Sequence, residues 1–167
     1  QAVKHANNDI VCKLRSDMVA GTGWLAHFVN SELLGHKPYN RIETHRMFEK
    51  FVFISNWSCE SGLWYHPSDW FFLGLKHDVE SIFDIPQRLH TDWCIGPEQY
   101  ITMRCMERNG LQDCIDYNWI ENHGNHNFHL RQGVPPEDHY IKEWWTVFFN
   151  NFCVLNLGWT SKDPRIW

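Results

Sequence analysis

Residues 105–114 read Cys105-Met106-Glu107-Arg108-Asn109-Gly110-Leu111-Gln112-Asp113-Cys114, and whether they close a hairpin or end a helix decides the fold. Asn-Gly is the preferred pair for a two-residue type I′ turn, because both central positions need positive φ. A turn centred on Asn109 and Gly110 sets Arg108 opposite Leu111, Glu107 opposite Gln112, Met106 opposite Asp113 and Cys105 opposite Cys114. Side chains opposed across an antiparallel pair have Cβ atoms about 4.5–5.5 Å apart, close to disulfide reach. The following residues continue the alternation, with Ile115, Tyr117 and Trp119 on one face and Asp116 and Asn118 on the other. The alternative is a helix from Pro97 to Arg108, with proline in its first turn and Gly110 as its C-terminal cap, which places Tyr100, Ile101 and Cys105 on one side. The hairpin is the preferred expectation, since Tyr100, Ile101 and Thr102 favour strands and the cysteine register is a second coincidence.

Working outward, further strand-like segments lie at 10–14, 50–54, 69–75 and 128–130, most of them separated by turn residues. Many short strands point to a sandwich or a barrel. One long helix stands out at about 136–157. Pro135 and Pro136 give it a rigid start, and Glu137 and Asp138 put negative charge in the first turn, where the helix dipole favours it. Ile141, Trp144, Trp145, Phe148, Phe149, Phe152 and Leu155 make a broad apolar face, while Glu143, Thr146 and Asn150 form a narrow polar stripe. Gly158 is the expected stop.

The chain has 167 residues, the size of about one domain, and no repeat, charge block or linker divides it, so 1–167 reads as a single domain. At 43% hydrophobic it is too apolar for disorder, and no apolar stretch approaches the roughly 18 residues of a membrane span. A net charge of -5 removes the basic footprint of a nucleic-acid binder or of a protein that binds anionic membranes. Residue usage is nearly flat, with 4 Ala beside 10 Trp, 11 His and 13 Asn. A designed or heavily mutagenised chain with no evolved function has usage of that kind and stands as an alternative reading.

The six cysteines, at 12, 59, 94, 105, 114 and 153, include no Cys-x-x-Cys pair, which argues against a zinc ribbon or a thioredoxin-type motif. An even count suits a disulfide framework, and a start at Gln1 without a leader suits a mature secreted chain. Asn56-Trp57-Ser58 is a glycosylation sequon of the sort chance supplies about once in such a chain.

The stretch Asp17-Met18-Val19-Ala20-Gly21-Thr22-Gly23-Trp24 resembles the first conserved block of the lipocalins, in particular the β-lactoglobulin and glycodelin branch. Thr91-Asp92-Trp93 resembles the second block, Cys105 and Cys114 the hairpin disulfide of that branch, and Arg131 the arginine that ends the last barrel strand ahead of a long helix. Three departures stand beside the resemblance. Gly23 is an extra residue before Trp24, Cys59 finds no partner beyond the helix, and the interval from Asp92 to Cys105 is long, which calls for a bulge or loop around Gly96-Pro97. The resemblance implies an all-β fold with one C-terminal helix: an eight-stranded up-and-down antiparallel barrel over about 18–131, with the helix on its outer face. It further implies that Trp24 packs at the closed end under Arg131. Phe51, Phe53 and Met103, with Trp24, are then candidates to line the cavity. The function so implied is transport of a small hydrophobic ligand by a secreted protein, with no catalysis, no cofactor, and no nucleic-acid or membrane partner.

Other chemistry is weaker. His123, His126 and His129 could supply three imidazoles to zinc, with Glu121 as a base for metal-assisted hydrolysis, but eleven histidines make such clusters common. Gly21-x-Gly23-x-x-Ala26 with Glu43 imitates a dinucleotide fingerprint, without the alternating strands and helices that would support it. No Gly-x-Ser-x-Gly, P-loop or His-Glu-x-x-His occurs, so neither nucleophilic nor phosphoryl-transfer chemistry is expected.

Overall fold

A computed structural model of the chain describes residues 2–14, 41–55, 64–67, 71–85, 96–123 and 135–155. Its strands are β1 (Ile10–Leu14), β2 (Val52–Ser55), β3 (Phe71–Leu75) and β4 (Phe152–Leu155), and its helices are α1 (Lys76–Phe83), α2 (Pro97–Arg108), α3 (Tyr117–His123) and α4 (Asp138–Asn151). The strands form one open sheet in the order β1-β3-β2-β4. β3 runs antiparallel to both β1 and β2, and β4 lies parallel to β2. The eight-stranded barrel implied by the resemblance to lipocalins is therefore not formed, and the chain is not all-β: four strands in a mixed sheet are accompanied by four helices among the described residues.

The reversal begins at residues 105–114. Asn109 has φ -95°, whereas a type I′ turn needs positive φ at both of its central positions. Of these two positions Gly110 alone is left-handed, with φ +75°. Its N–H donates to the Glu107 carbonyl (3.0 Å), and the Leu111 N–H donates to the Met106 carbonyl (2.9 Å). Those two bonds are the Schellman arrangement that satisfies the last carbonyls of a helix, and buried Leu111 and Met106 supply the apolar pair that accompanies it. The other end of α2 is equally local. Pro97 opens the first turn, and Gln99 Oε1 accepts the Gly96 N–H at 3.1 Å. Tyr100, Met103 and Met106, spaced three apart, become one buried stripe, which outweighs the strand preference of Tyr100, Ile101 and Thr102. Gly96-Pro97 is thus a helix start and not a bulge. Cys105 sits in the helix, Cys114 sits in a 3₁₀ turn (Gln112–Cys114), and both are free thiols, so the expected disulfide is absent. Cys12 and Cys153 are free thiols as well, and Cys59 and Cys94 lie outside the described residues.

The strands expected at 10–14, 50–54 and 69–75 are present with small shifts; the one at 128–130, like Trp24, the second lipocalin block, Arg131 and Gly158, lies outside the described residues. The long helix ends at Asn151, not near 157. Phe152, Cys153, Val154 and Leu155 leave it to pair with Val52, Phe53, Ile54 and Ser55.

Alternation along β2 divides the sheet. Val52 and Ile54 face the cluster that holds the buried side chains of all four helices, among them Val79, Met106, Trp119 and Trp144. Phe53 faces a second cluster with Phe71 and Leu73. Phe51, Phe53 and Met103, expected along a barrel cavity, are packed side chains with 8%, 2% and 1% of their surface exposed. Phe51 is also covered by the Arg41 guanidinium, 4.9 Å from the ring centre.

Candidate metal centre

Three side chains of different chemistry meet where α4 passes two short turns. His45 ends the 3₁₀ turn Glu43–His45, Cys114 ends the turn that follows α2, and Glu143 projects from the polar side of α4. One donor atom from each lies within 4.8 Å of the others. His45 Nε2 is 2.7 Å from Glu143 Oε2, and the Cys114 Sγ–H donates to the same oxygen at 3.8 Å.

The segment carrying His45 is held by the last two residues of α4. Asn150 Oδ1 accepts the Ile42 N–H at 2.7 Å, and its Nδ2 donates to the Ile42 carbonyl at 2.8 Å. Asn151, fully buried, accepts the Met47 N–H through Oδ1 (2.7 Å) and donates through Nδ2 to the carbonyls of His45 and Val147, both at 2.7 Å. Each buried amide thereby satisfies backbone groups that would otherwise be orphaned. Cys114 is placed from the other side. Buried Tyr65 donates its hydroxyl to the Cys114 carbonyl (3.4 Å) and accepts the Asp116 N–H (3.0 Å), while Asp116 Oδ1 accepts the Trp119 N–H (2.8 Å) to cap α3.

Burial, reinforced by the nearby Glu143 carboxylate, pushes the Cys114 thiol up to about 11. At neutral pH it is protonated, so it is a poor nucleophile by itself. A metal ion reverses that preference, because a coordinating thiol gives up its proton. Sulfur, imidazole nitrogen and carboxylate oxygen are together a zinc-type donor set. In a tetrahedral zinc site such donors lie roughly 3.3–3.6 Å apart. The Cys114–Glu143 separation is within a few tenths of an ångström of that, and the His45–Glu143 pair has to open by somewhat less than 1 Å. Thr44 Oγ1 lies 2.9 Å from His45 Nδ1 and completes the arrangement. A hydroxyl can donate to Nδ1 while Nε2–H faces Glu143, or accept from Nδ1–H when Nε2 holds a metal.

None of these three residues was expected to work together. Cys114 was read as half of a hairpin disulfide and Glu143 as part of a solvated stripe, while His45 had no assignment. They are 29 and 98 positions from one another along the chain, taken from Glu143, so no local spacing announces them. Of the histidine cluster read from sequence, His123 ends α3, and His126 and His129 lie outside the described residues. Glu121 is exposed on α3. Glu43, the acid of the dinucleotide-like pattern that was set aside, pairs with Arg46 at 3.1 Å.

Apart from this cluster, a hollow of about 100 Å³ lies between the sheet and α2. Phe72, Phe83, Ile101 and Pro97 wall it, with Lys13 and Glu98 beside them.

Compared with protein-family models, with characterised proteins and with solved structures, the chain matches none.

Proposed function

We propose that the protein binds one Zn²⁺ ion through His45 Nε2, Cys114 Sγ and a Glu143 carboxylate oxygen. The observation that carries this reading is the convergence of three different donors within 4.8 Å, from three separate segments that independent hydrogen bonds hold in place. Zinc titration of the full chain by calorimetry, with metal analysis after dialysis, tests it. The expected result is one zinc per chain at this site, and at least tenfold weaker binding in Cys114→Ser and His45→Ala. Unchanged uptake in those variants, with loss in His126→Ala/His129→Ala, transfers the site to the histidine cluster; no stoichiometric zinc in any of them removes the proposal.

The hollow beside Phe72 and Phe83 supports a second reading, a small apolar guest, which keeps the ligand chemistry expected from the sequence without a barrel. Its roughly 100 Å³ is well below the 300–1,000 Å³ of pockets for drug-sized molecules, so it suits one ring at most and not a retinoid or fatty acid. Saturable binding of phenol that Ile101→Trp abolishes supports this reading, and failure of the wild-type chain to saturate removes it.

A further inference from the structure

We propose that the zinc site keeps an open fourth position on its solvent side, filled by an exchangeable water, and that uncharged nitrogen or oxygen donors replace that water in preference to anions. The inference rests on the zinc reading above and adds the ligand class that the bound ion accepts.

Two features support it. The first is the disposition of the donors. Cys114 is buried, with 7% of its surface exposed, and forms the floor of the site. The His45 side chain is 20% exposed and that of Glu143 is 42% exposed, so these two form the rim. Three donors around a tetrahedral ion occupy one of its faces and leave the remaining vertex pointing the opposite way. With the sulfur as floor, that vertex points outward, past the imidazole and the carboxylate. Closed zinc sites take four protein ligands; sites with three keep the fourth place for water or another small ligand.

The second feature is charge. A thiolate and a carboxylate together carry -2, which cancels the +2 of the ion, while neutral imidazole adds nothing. The bound centre is therefore neutral, and it sits in a protein whose formal net charge is -5. An incoming anion gains no net Coulomb attraction from such a centre and must still give up its hydration. An uncharged donor such as imidazole pays less desolvation and offers the borderline nitrogen that zinc favours. The exchange is a simple substitution: the imidazole lone pair forms a bond to the metal, the bond to water breaks, and the water leaves unchanged.

The test replaces zinc with Co²⁺ in the full chain, because its visible d–d bands report coordination geometry and its sulfur-to-metal charge-transfer band reports Cys114. Imidazole and azide are then titrated separately. The expected result is a saturable shift of the d–d bands by imidazole, at a concentration at least tenfold below that needed with azide, while the charge-transfer band persists. Cobalt bands that neither titrant moves show a closed site and overturn this inference, leaving the zinc reading in place. Tighter binding of azide overturns the preference for uncharged donors. Absence of the charge-transfer band in the cobalt protein overturns the zinc reading and this inference with it.

Discussion

The helices α2 and α4 stop by different means. α2 ends within its own sequence: Gly110 takes the left-handed conformation, and the N–H groups of Gly110 and Leu111 close back on Glu107 and Met106. α4 has no such device. Its last residues, Asn150 and Asn151, bond to Ile42, His45 and Met47, about a hundred positions earlier, and the chain then leaves to pair with β2. One stop is contained in a few neighbouring residues, whereas the other exists only when a distant segment is in place. The candidate metal centre depends on both, since Cys114 follows the first stop and His45 is held by the second.

The largest expected effect comes from breaking the tertiary stop. Asn151→Leu leaves the Met47 N–H and the His45 carbonyl buried without partners, at about 1–3 kcal/mol each, so a loss of about 3–5 kcal/mol is expected in urea unfolding. Because the released segment carries His45, zinc affinity falls with it. A variant as stable as the wild type would show that the α4 end is set locally after all.

Next comes the alkaline response of the α2 end. Burial pushes the Cys105 and Cys114 thiols up to about 11, from an ordinary value near 9. A raised thiol means that the folded state holds its proton more tightly than the unfolded chain does. The stabilisation is complete below pH 9 and is lost as pH rises from 9 through about 11, amounting to about 2–3 kcal/mol for fully buried Cys105. Denaturant midpoints of the metal-free chain at pH 8 and pH 10.5 measure it. Hydrogen exchange is expected to loosen first around 105–114 and last at 150–151. Between pH 7 and 9, where the Cys114 thiol is protonated in the metal-free chain, zinc affinity should rise with pH by about tenfold per unit, because each ion displaces the Cys114 proton; a flat profile there would separate the sulfur from the metal.

The local stop is cheaper to disturb. A Cβ at Gly110 meets nothing within 4 Å, so Gly110→Ala costs only the left-handed backbone penalty, about 1 kcal/mol in thermal or urea unfolding. Gly110→Asn, which tolerates that conformation better, should cost only a few tenths of a kcal/mol. Equal, large losses in the two variants would mean that the site is crowded, contrary to the structure.

The contrast also accounts for what could be read from the residues in order. β1 was placed at Ile10–Leu14 and appears there, and the start of α4 after Pro135-Pro136 was plain, because proline and first-turn acids act over a few residues. Asn109-Gly110 was ambiguous: the same dipeptide serves a hairpin or a helix cap, and only the burial of Tyr100, Met103 and Met106 on one stripe decides between them. The end of α4 was overrun because Phe152 and Leu155 fit its apolar face as well as they fit a strand. The candidate metal centre was not legible at all, since neither His45 nor Glu143 differs locally from the other histidines and surface acids.

The sequence by itself determined the composition class, the approximate places of β1, β2 and β3, and the start of α4, the last of which follows from proline and first-turn acids acting within a turn or two. Tertiary structure alone decided that the strands form an open mixed sheet with β4 parallel to β2, that α4 stops at Asn151 so that residues 152–155 join that sheet, and that a thiol, an imidazole and a carboxylate face one another. The physical reason is range. Helix caps and turns are settled by bonds between near neighbours, whereas strand pairing and buried polar contacts take their energy from groups brought together only when the whole core forms.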